Sequence, residues 1–214
     1  MTTPSHLHLP RGTARKRSPD WLLFLAKFLR HGTAIASFVP SSRWLAQAVV
    51  RDIDFEKTRC IVELGAGTGP ITEELLRRSG GRCRILVVER DPDFCRRLRE
   101  RFPPAEVVQA DANDLERLLD ERVIDKIDHV VRGLPLPSFS LESRRRILAV
   151  VRRRLAASGT FRQLTHMPLI YYPLYHNYFE RVEFRFIARN FPPGGFYICE
   201  MARLAPKGLM RQAS

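Results

Sequence analysis

Glycines and carboxylates spaced along the middle of the chain are the residues best suited to chemistry. Glu63 precedes a turn of sequence G-A-G-T-G, whose glycines are Gly65, Gly67 and Gly69. Glycine permits a tight turn and a close approach of the backbone to a bound ligand. The spacing G-x-G-x-G differs from the dinucleotide pattern, and the turn lacks the Gly-Lys-Ser/Thr of a phosphate-binding loop. The turn alone therefore indicates a ligand site without defining its ligand.

Two further groups of polar residues follow at the ends of predicted strands. Glu89 and Arg90 end the run V-V-E-R-D, and Asp111 and Ala112 end the run Q-A-D-A. A carboxylate at the carboxyl end of a strand can accept hydrogen bonds from both hydroxyls of a ribose. Asp111 offers a carboxylate to an exocyclic amine, and a backbone amide beside it is available to a ring nitrogen. Together with the glycine turn, these strand ends predict a nucleoside-binding edge.

Strand and helix patterns alternate around these residues. The predicted strands are Cys60–Leu64, Cys83–Glu89, Glu106–Gln109, Lys126–Val131 and Gly159–Leu164. The predicted helices are Pro70–Arg78, Pro92–Phe102, Asp114–Glu121 and Leu141–Leu155. This alternation predicts an α/β fold with a parallel sheet and helices on both faces. Two later strand-like runs, Arg181–Asn190 and Phe196–Arg203, flank a Pro-Pro-Gly-Gly turn and predict a terminal hairpin.

The chain divides by composition into a tail, a helical segment and the sheet domain. Residues 1–18 are basic and lack apolar periodicity, which predicts a disordered tail. Residues 19–58 predict two helices, an amphipathic one and a lid, and residues 59–206 form the sheet domain. The amphipathic helix, Pro19–His31, presents aromatic and leucine side chains opposite Lys27 and Arg30. That pattern fits a helix packed on the core and equally a helix lying at a membrane interface.

The charge predicts an anionic partner, which is either nucleic acid or a membrane surface. The chain has 36 Lys and Arg against 23 Asp and Glu, a net charge of +13, and nearly all the cations are arginines. No apolar run approaches the ~20 residues that cross a bilayer, and the N-terminus lacks the pattern of a secretory signal. We therefore expect a cytoplasmic protein. Four cysteines without a C-x-x-C pair predict free thiols and no metal site.

The motifs E-L-G-A-G-T-G, V-V-E-R-D and Q-A-D-A, in this order, resemble those of the Rossmann-like S-adenosylmethionine-dependent methyltransferases. The resemblance spans residues 60–203 and implies S-adenosylmethionine as the cofactor. It implies that Glu63 lies near the methionine portion, that Glu89 holds the ribose and that Asp111 reads the adenine. It also implies a seven-stranded, mostly parallel sheet whose last strand is antiparallel.

The residues at the end of the fourth predicted strand indicate which class of molecule accepts the methyl group. Enzymes that methylate nucleobase amines typically have an Asn or Asp, a Pro and a base-stacking aromatic there. Here the sequence is G-L-P-L, so Gly133 and Leu136 replace the amide and the aromatic. The glycine loop and the Leu-Pro step resemble ribosomal RNA adenine dimethyltransferases, but this replacement argues against nucleic acid. An RNA adenine or protein methyltransferase stays the alternative function.

The G-L-P-L sequence also belongs to a second resemblance. Together with I-A-S-F-V-P-S-S at residues 35–42 and R-N-F-P-P at residues 189–193, it resembles the small bacterial phospholipid N-methyltransferases. This resemblance implies N-methylation of phosphatidylethanolamine towards phosphatidylcholine. It also implies an amphipathic helix that binds anionic phospholipid, which places the protein peripherally on the inner face of the cell membrane. The sequence leaves the oligomeric state and the number of methyl groups open.

Four residues are candidates for the transfer step. Gly133 leaves the line between methyl group and amine free, so a Gly133→Val change is expected to spare cofactor binding. Carbonyls around Arg132 and Gly133 can orient the amine. Tyr171, with its neighbouring tyrosines, offers a cation–π contact to a methylated ammonium or packs in the core. His166 is a proton acceptor or a structural histidine. The candidates for a lipid phosphate, each otherwise a surface charge, are Arg132, Arg185 and Arg189.

Overall fold

Seven strands and six α-helices make up the described part of the chain, which comprises residues 43–133, 139–165, 168–188 and 194–201 of a computed structural model. The strands are β1 (Cys60–Leu64), β2 (Arg84–Glu89), β3 (Glu106–Gln109), β4 (Ile127–Arg132), β5 (Leu155–Thr165), β6 (Arg181–Ile187) and β7 (Gly194–Glu200). The helices are α1 (Arg43–Val50), α2 (Pro70–Ser79), α3 (Pro92–Arg101), α4 (Leu115–Asp120), α5 (Leu141–Arg154) and α6 (Pro168–His176). A 3₁₀ turn, Ala112–Asp114, precedes α4.

The strands form one sheet in the order β3-β2-β1-β4-β5-β7-β6. Strands β1 to β5 pair in parallel, whereas β7 is antiparallel to both β5 and β6. The predicted mostly parallel sheet with an antiparallel last strand is thereby confirmed. Strands β2 and β3 lie on one side of β1 and β4 and β5 on the other, so the strand order reverses at β1. Ligands of open α/β sheets bind in the crevice at such a point, outside the carboxyl ends of the strands.

Helices cover both faces of the sheet, as the alternating pattern predicts. On one side, which we call the α1 face, Ile61 and Val131 pack with apolar residues of α1, α2 and α3. On the other, the α5 face, Leu64 and Val130 pack with residues of α4, α5 and α6. Since side chains alternate along a strand, neighbouring residues of β1 and β4 belong to opposite cores.

The turns that follow β1 and β2 have clear local causes. Helix α2 starts with Pro70, whose fixed φ suits the first helical turn, and ends at Gly80, which is left-handed with φ of 54°. Helix α3 starts after Asp91, whose carboxylate accepts hydrogen bonds from the amides of Asp93 and Phe94. Both helix starts therefore hold the adjacent strand ends at the same edge of the sheet.

The structure differs from the predicted elements mainly after β4. Strand β5 begins at Leu155 instead of Gly159, and its pairing with β4 is irregular between Ile127 and His129. Helix α6 was not predicted, because it contains Pro173 and many aromatic residues, which do not favour a helix.

The start of the chain is described only in part. The predicted tail and the amphipathic helix Pro19–His31 lie outside the described residues. Helix α1 is the described part of the second N-terminal helix, and its Leu45, Val49 and Val50 are buried in the core of the α1 face. Among the residues that the structure describes, no helix is both long and apolar enough to cross a membrane.

Candidate active site

The glycine turn after β1 has the backbone that its sequence predicts. Gly65, Gly67 and Gly69 have φ of 74°, 55° and 87°, in the left-handed region that favours glycine. A Cβ on Gly69 would lie 2.5 Å from the ring of Phe102, so this glycine allows α3 to pack. A Cβ on Gly67 would meet nothing within 4 Å. The turn therefore leaves open space above Gly67, where a ligand can approach the backbone.

Glu89 links the end of β2 to this turn. Its side chain is buried, and its Oε2 accepts a hydrogen bond of 3.0 Å from the Gly67 amide. Its Oε1 accepts a hydrogen bond of 2.9 Å from the Asp91 amide. The carboxylate is thus fixed beside the open space, in the position that the sequence assigns to a ribose.

The end of β3 contributes a second carboxylate. Asp111 caps the 3₁₀ turn, with its Oδ1 accepting from the Asn113 amide at 2.8 Å. Its Oδ2 lies 3.9 Å from Nη1 of Arg90, a residue that is otherwise well exposed. Ala112 is buried at the start of the turn. The Ala110 amide donates to the Glu89 carbonyl at 3.0 Å, which holds the β2 and β3 ends together.

Glu63, the third carboxylate, is completely buried on the α1 face. Its Oε2 accepts a hydrogen bond of 2.6 Å from the Thr72 hydroxyl of α2. No described residue donates to its other oxygen, Oε1. Burial raises the pKa of Glu63 to about 8. A buried, half-satisfied carboxylate is costly without a ligand, and its free oxygen is suited to a donor or a cation.

Gly133 lies directly after β4, next to the glycine turn. Its amide donates to the Leu64 carbonyl at 3.1 Å, and a Cβ added to it would lie 2.8 Å from the Gly65 carbonyl oxygen. The glycine is thus required by the close approach of two backbone segments. A valine at this position would displace the turn that contains Gly65, which argues against the expectation that Gly133→Val spares cofactor binding.

The Arg132 side chain is fully buried on the α5 face, so its interpretation as a surface charge is wrong. Its guanidinium lies over the ring of Phe139, 4.4 Å from the centroid. The Arg132 carbonyl accepts a long hydrogen bond, 3.4 Å, from Nε2 of Gln163. The strand pattern could have indicated this burial, because Arg132 shares its face with the apolar Val130.

Four candidates from the sequence remain: His166, Arg189, Arg185 and Tyr171. His166 and Arg189 lie outside the described residues. Arg185 forms ion pairs with Asp52 and Glu183, so its guanidinium already has partners within the chain, and its role as a phosphate ligand stays a prediction.

Tyr171 is buried, and the Arg144 guanidinium lies 5.7 Å from its ring centroid. The cation that faces Tyr171 is therefore Arg144, and the structure supports the packing interpretation of this tyrosine. The sequence does not indicate Phe139 and Arg144 as neighbours of Arg132. Tyr175, which also acts on Arg132, is one of the tyrosines predicted beside Tyr171. For Phe139 and Arg144 no sequence signal exists, since their proximity depends on how α5 docks.

Comparison with known proteins gives matches along most of the chain. A family model described as "Methyltransferase domain" matches residues 61–159. The ornithine lipid N-methyltransferase of Singulisphaera acidiphila is 51% identical over 183 residues, which are 84% of this chain and 95% of that protein. The ribosomal RNA small subunit methyltransferase A of Bordetella avium is 42% identical over only 67 residues, 30% of this chain and 24% of that protein.

A solved structure has the same fold at low sequence identity. It is a Thermus thermophilus 16S rRNA N2 G1207 methyltransferase in complex with AdoMet and guanosine. The TM-score is 0.58 at 19% identity, and the match covers 80% of this chain and 44% of that one.

S-adenosylmethionine is the cofactor, and the described residues fit it. Its cationic methionine portion matches the unsatisfied Oε1 of Glu63, and the space above Gly67 admits a nucleoside beside Glu89. Gly65, Gly69 and Asp111 complete the residues that would hold it. The chain therefore belongs to the S-adenosylmethionine-dependent methyltransferases, in the family that includes the ornithine lipid N-methyltransferase of Singulisphaera acidiphila.

Proposed function

We propose that this protein transfers a methyl group from S-adenosylmethionine to the amine of a membrane lipid headgroup. The observation that carries the proposal is the 51% identity to the ornithine lipid N-methyltransferase, which covers 95% of that relative. A match of 183 residues extends well beyond the strands that bind the cofactor. Ornithine lipid is therefore the first candidate substrate. Phosphatidylethanolamine, which the sequence resemblance implies, is the second, since both headgroups present a primary amine.

The reaction requires that a neutral amine is held in line with the methyl group. Bound S-adenosylmethionine supplies that methyl group on a positively charged sulfur. The chain contributes the crevice between β1 and β4, where the close contact of Gly133 with Gly65 keeps side chains away from the edge. Holding the two reactants in this geometry replaces an encounter in solution. We assign the acceptor amine to the space beside Gly133, with the proton released to solvent or to His166.

We further propose that the protein acts while bound peripherally to the inner face of the cell membrane. Residues 1–42 carry six basic residues against the single acid Asp20. Within the described part, Tyr172 and Phe186 are exposed aromatics, 42% and 61% accessible. Phe186 lies near the end of β6, which runs parallel to β5, and so at the edge of the sheet that carries the site. Exposed aromatics together with an excess of basic residues are typical of proteins that bind at a lipid interface.

The proposed function is tested by offering four acceptors to one preparation of the full chain. Labelled S-adenosylmethionine is incubated with vesicles that contain ornithine lipid, vesicles that contain phosphatidylethanolamine, ribosomal RNA, or a protein extract. We expect label in the lipid amine, and the ratio between the two lipids identifies the substrate. A Glu89→Ala variant is the control for transfer that depends on the cofactor site. Label in RNA or protein, with none in lipid, would contradict the proposal.

A further inference from the structure

The α5 face of the sheet contains a group of buried hydrogen-bond donors without acceptors. Arg132 is 0% exposed, and no described residue accepts a hydrogen bond from its Nε, Nη1 or Nη2. The hydroxyl of Tyr175, in α6, is likewise buried and has no partner among the described residues. Buried polar groups in folded proteins are almost always paired, so each exception calls for an explanation.

The charges around Arg132 are unfavourable for a purely structural arginine. The groups that act on it electrostatically are Tyr175 and a second cation, Arg144, while burial itself lowers the pKa of Arg132 to about 10. Arg144 is positioned by its Nε, which donates to the Phe139 carbonyl at 2.9 Å. Removing one partner of a buried ion pair is strongly destabilising, yet within the described part of the chain no carboxylate pairs with this buried cation.

The position of this cation connects it with the transfer site. Arg132 is the last residue of β4, directly before Gly133, at the edge where the acceptor amine must bind. Its register partner in β1 is Leu64, and the side chain points to the face opposite Glu63. The guanidinium therefore lies close to the acceptor half of the site and away from the carboxylate that faces the cofactor half.

We propose that Arg132, assisted by the Tyr175 hydroxyl, binds the oxyanion of the lipid headgroup and so determines which amines are methylated. This inference rests on the proposed function and names the part of the headgroup that is recognised. A guanidinium fork binds carboxylate or phosphate bidentately. In ornithine lipid the oxyanion is the α-carboxylate of the ornithine unit whose side chain carries the amine, and in phosphatidylethanolamine it is the phosphate. An amine without a neighbouring anion would leave the buried cation unpaired and is therefore rejected.

The test compares the KM of three lipids in mixed micelles: ornithine lipid, its carboxyl methyl ester and phosphatidylethanolamine. For the wild type we expect a KM at least tenfold higher for the ester than for the acid. In Arg132→Met the KM for ornithine lipid should rise to that of the ester, whose own KM stays unchanged. If phosphatidylethanolamine is the substrate, its KM should rise at least tenfold in the same variant. Wild-type KM values in Arg132→Met for both lipids would overturn the proposal.

A pair of tyrosine variants keeps the test independent of folding at Arg132. Tyr175→Phe removes one unpaired hydroxyl and is expected to raise the KM for the anionic headgroup several-fold. Tyr197→Phe is the matched control, because the Tyr197 hydroxyl is also buried and unpaired among the described residues, and the rings lie 4.8 Å apart. Burial raises the pKa of the Tyr175 hydroxyl and the charge of Arg132 opposes this rise, but Arg132 is not among the groups that shift the pKa of Tyr197. Equal effects of the two variants would contradict the assignment.

A binding measurement separates this inference from the proposed function. In saturating S-adenosylhomocysteine, Nα-acetylornithine or phosphoethanolamine should raise the Tm of the wild type and of Tyr197→Phe, but not of Arg132→Met. If the protein shows this pattern of Tm changes but methylates no lipid, the anion site stands and the proposed function is rejected. If the wild type methylates lipid and the Arg132→Met variant keeps both the Tm response and the wild-type KM values, the anion site alone is rejected. Without ligand, Arg132→Met should have a higher Tm than the wild type, since an unpaired buried charge is removed.

Discussion

Glu63 and Arg132, an acid and a base, lie on adjacent strands and are both completely buried, but they do not pair with each other. Glu63 is in register with Val131, whereas Arg132 is in register with Leu64. The alternation of side chains therefore puts the acid on the α1 face and the cation on the α5 face. A shift of one residue in the pairing of β1 and β4 would bring both to the same face.

These two buried side chains differ in their hydrogen-bonding capacity, and this difference divides the site into two halves. The cofactor half, β1 to β3, offers an unsatisfied acceptor, Oε1 of Glu63, and an open glycine turn. The acceptor half, β4 to β7 with α5 and α6, offers unsatisfied donors on Arg132 and Tyr175. Each half therefore suits a ligand of different charge. Perturbing one half should leave binding at the other intact, and this expectation can be tested.

The largest expected effect comes from deleting residues 1–31, which precede both halves in the sequence. Because each basic residue near an anionic surface contributes about 1 kcal/mol, the deletion should abolish pelleting with anionic vesicles and lipid turnover on them. The affinity for S-adenosylmethionine, measured by calorimetry, should not change. A deletion of residues 1–18 is the control that keeps the predicted helix Pro19–His31 and should retain part of the binding. Full pelleting without residues 1–31 would show that this helix does not anchor the protein.

A loss of about 100-fold in S-adenosylmethionine affinity, ~3 kcal/mol, is expected for Glu89→Ala. The variant removes the predicted ribose contact and also the acceptor of the Gly67 amide, so the turn loses its hydrogen bond to the end of β2. Glu73→Ala is the matched control, because Glu73 is exposed on α2 and pairs with Arg101. The Arg132-dependent Tm response to Nα-acetylornithine should persist in Glu89→Ala. An unchanged cofactor affinity in this variant would remove the assignment of the cofactor half.

The pH dependence of stability should change in Glu63→Gln. The pKa of Glu63 is raised to about 8 in the folded protein, above its ordinary value of 4.5. The contribution of this group is therefore fully present below pH 4.5 and is lost as the pH rises through about 8. Between pH 5.5 and 7 the wild type should lose about 2 kcal/mol relative to the variant, at ~1.4 kcal/mol per pH unit. Parallel curves from denaturant unfolding without cofactor would contradict the burial of this carboxylate.

The cofactor half could be predicted from sequence almost completely. The strand bounds Cys60–Leu64 and Glu106–Gln109 are as predicted, because short apolar runs end there in polar residues and are followed by proline or capping signals. The predicted roles of Glu63, Glu89 and Asp111 depend on their positions at the ends of consecutive parallel strands. Local patterns and one topological rule therefore suffice to bring them to one edge.

The acceptor half depends on contacts between distant segments, which local patterns do not reveal. Helix α6 contains Pro173, so its periodicity and propensity do not indicate a helix. The partner of Arg185 is Asp52, far away in the sequence. The requirement for glycine at position 133 arises only because β4 pairs with β1 beside Gly65. The sequence therefore predicts substrate recognition in this half only in outline.

The smallest expected effect tests whether the acceptor half is built independently of the cofactor half. Ser140 caps α5, with its Oγ accepting from the Ser143 amide at 3.1 Å, directly after Phe139 whose ring covers Arg132. Loss of such a cap costs about 1 kcal/mol, so Ser140→Ala should lower the unfolding free energy by that amount. The helix start then frays, and the KM for the lipid should rise about twofold, while the affinity for S-adenosylmethionine stays constant. Ser140→Asp is the control, since an aspartate caps equally well and should restore both quantities. A parallel loss of cofactor affinity in Ser140→Ala would mean that the two halves are mechanically coupled through β4.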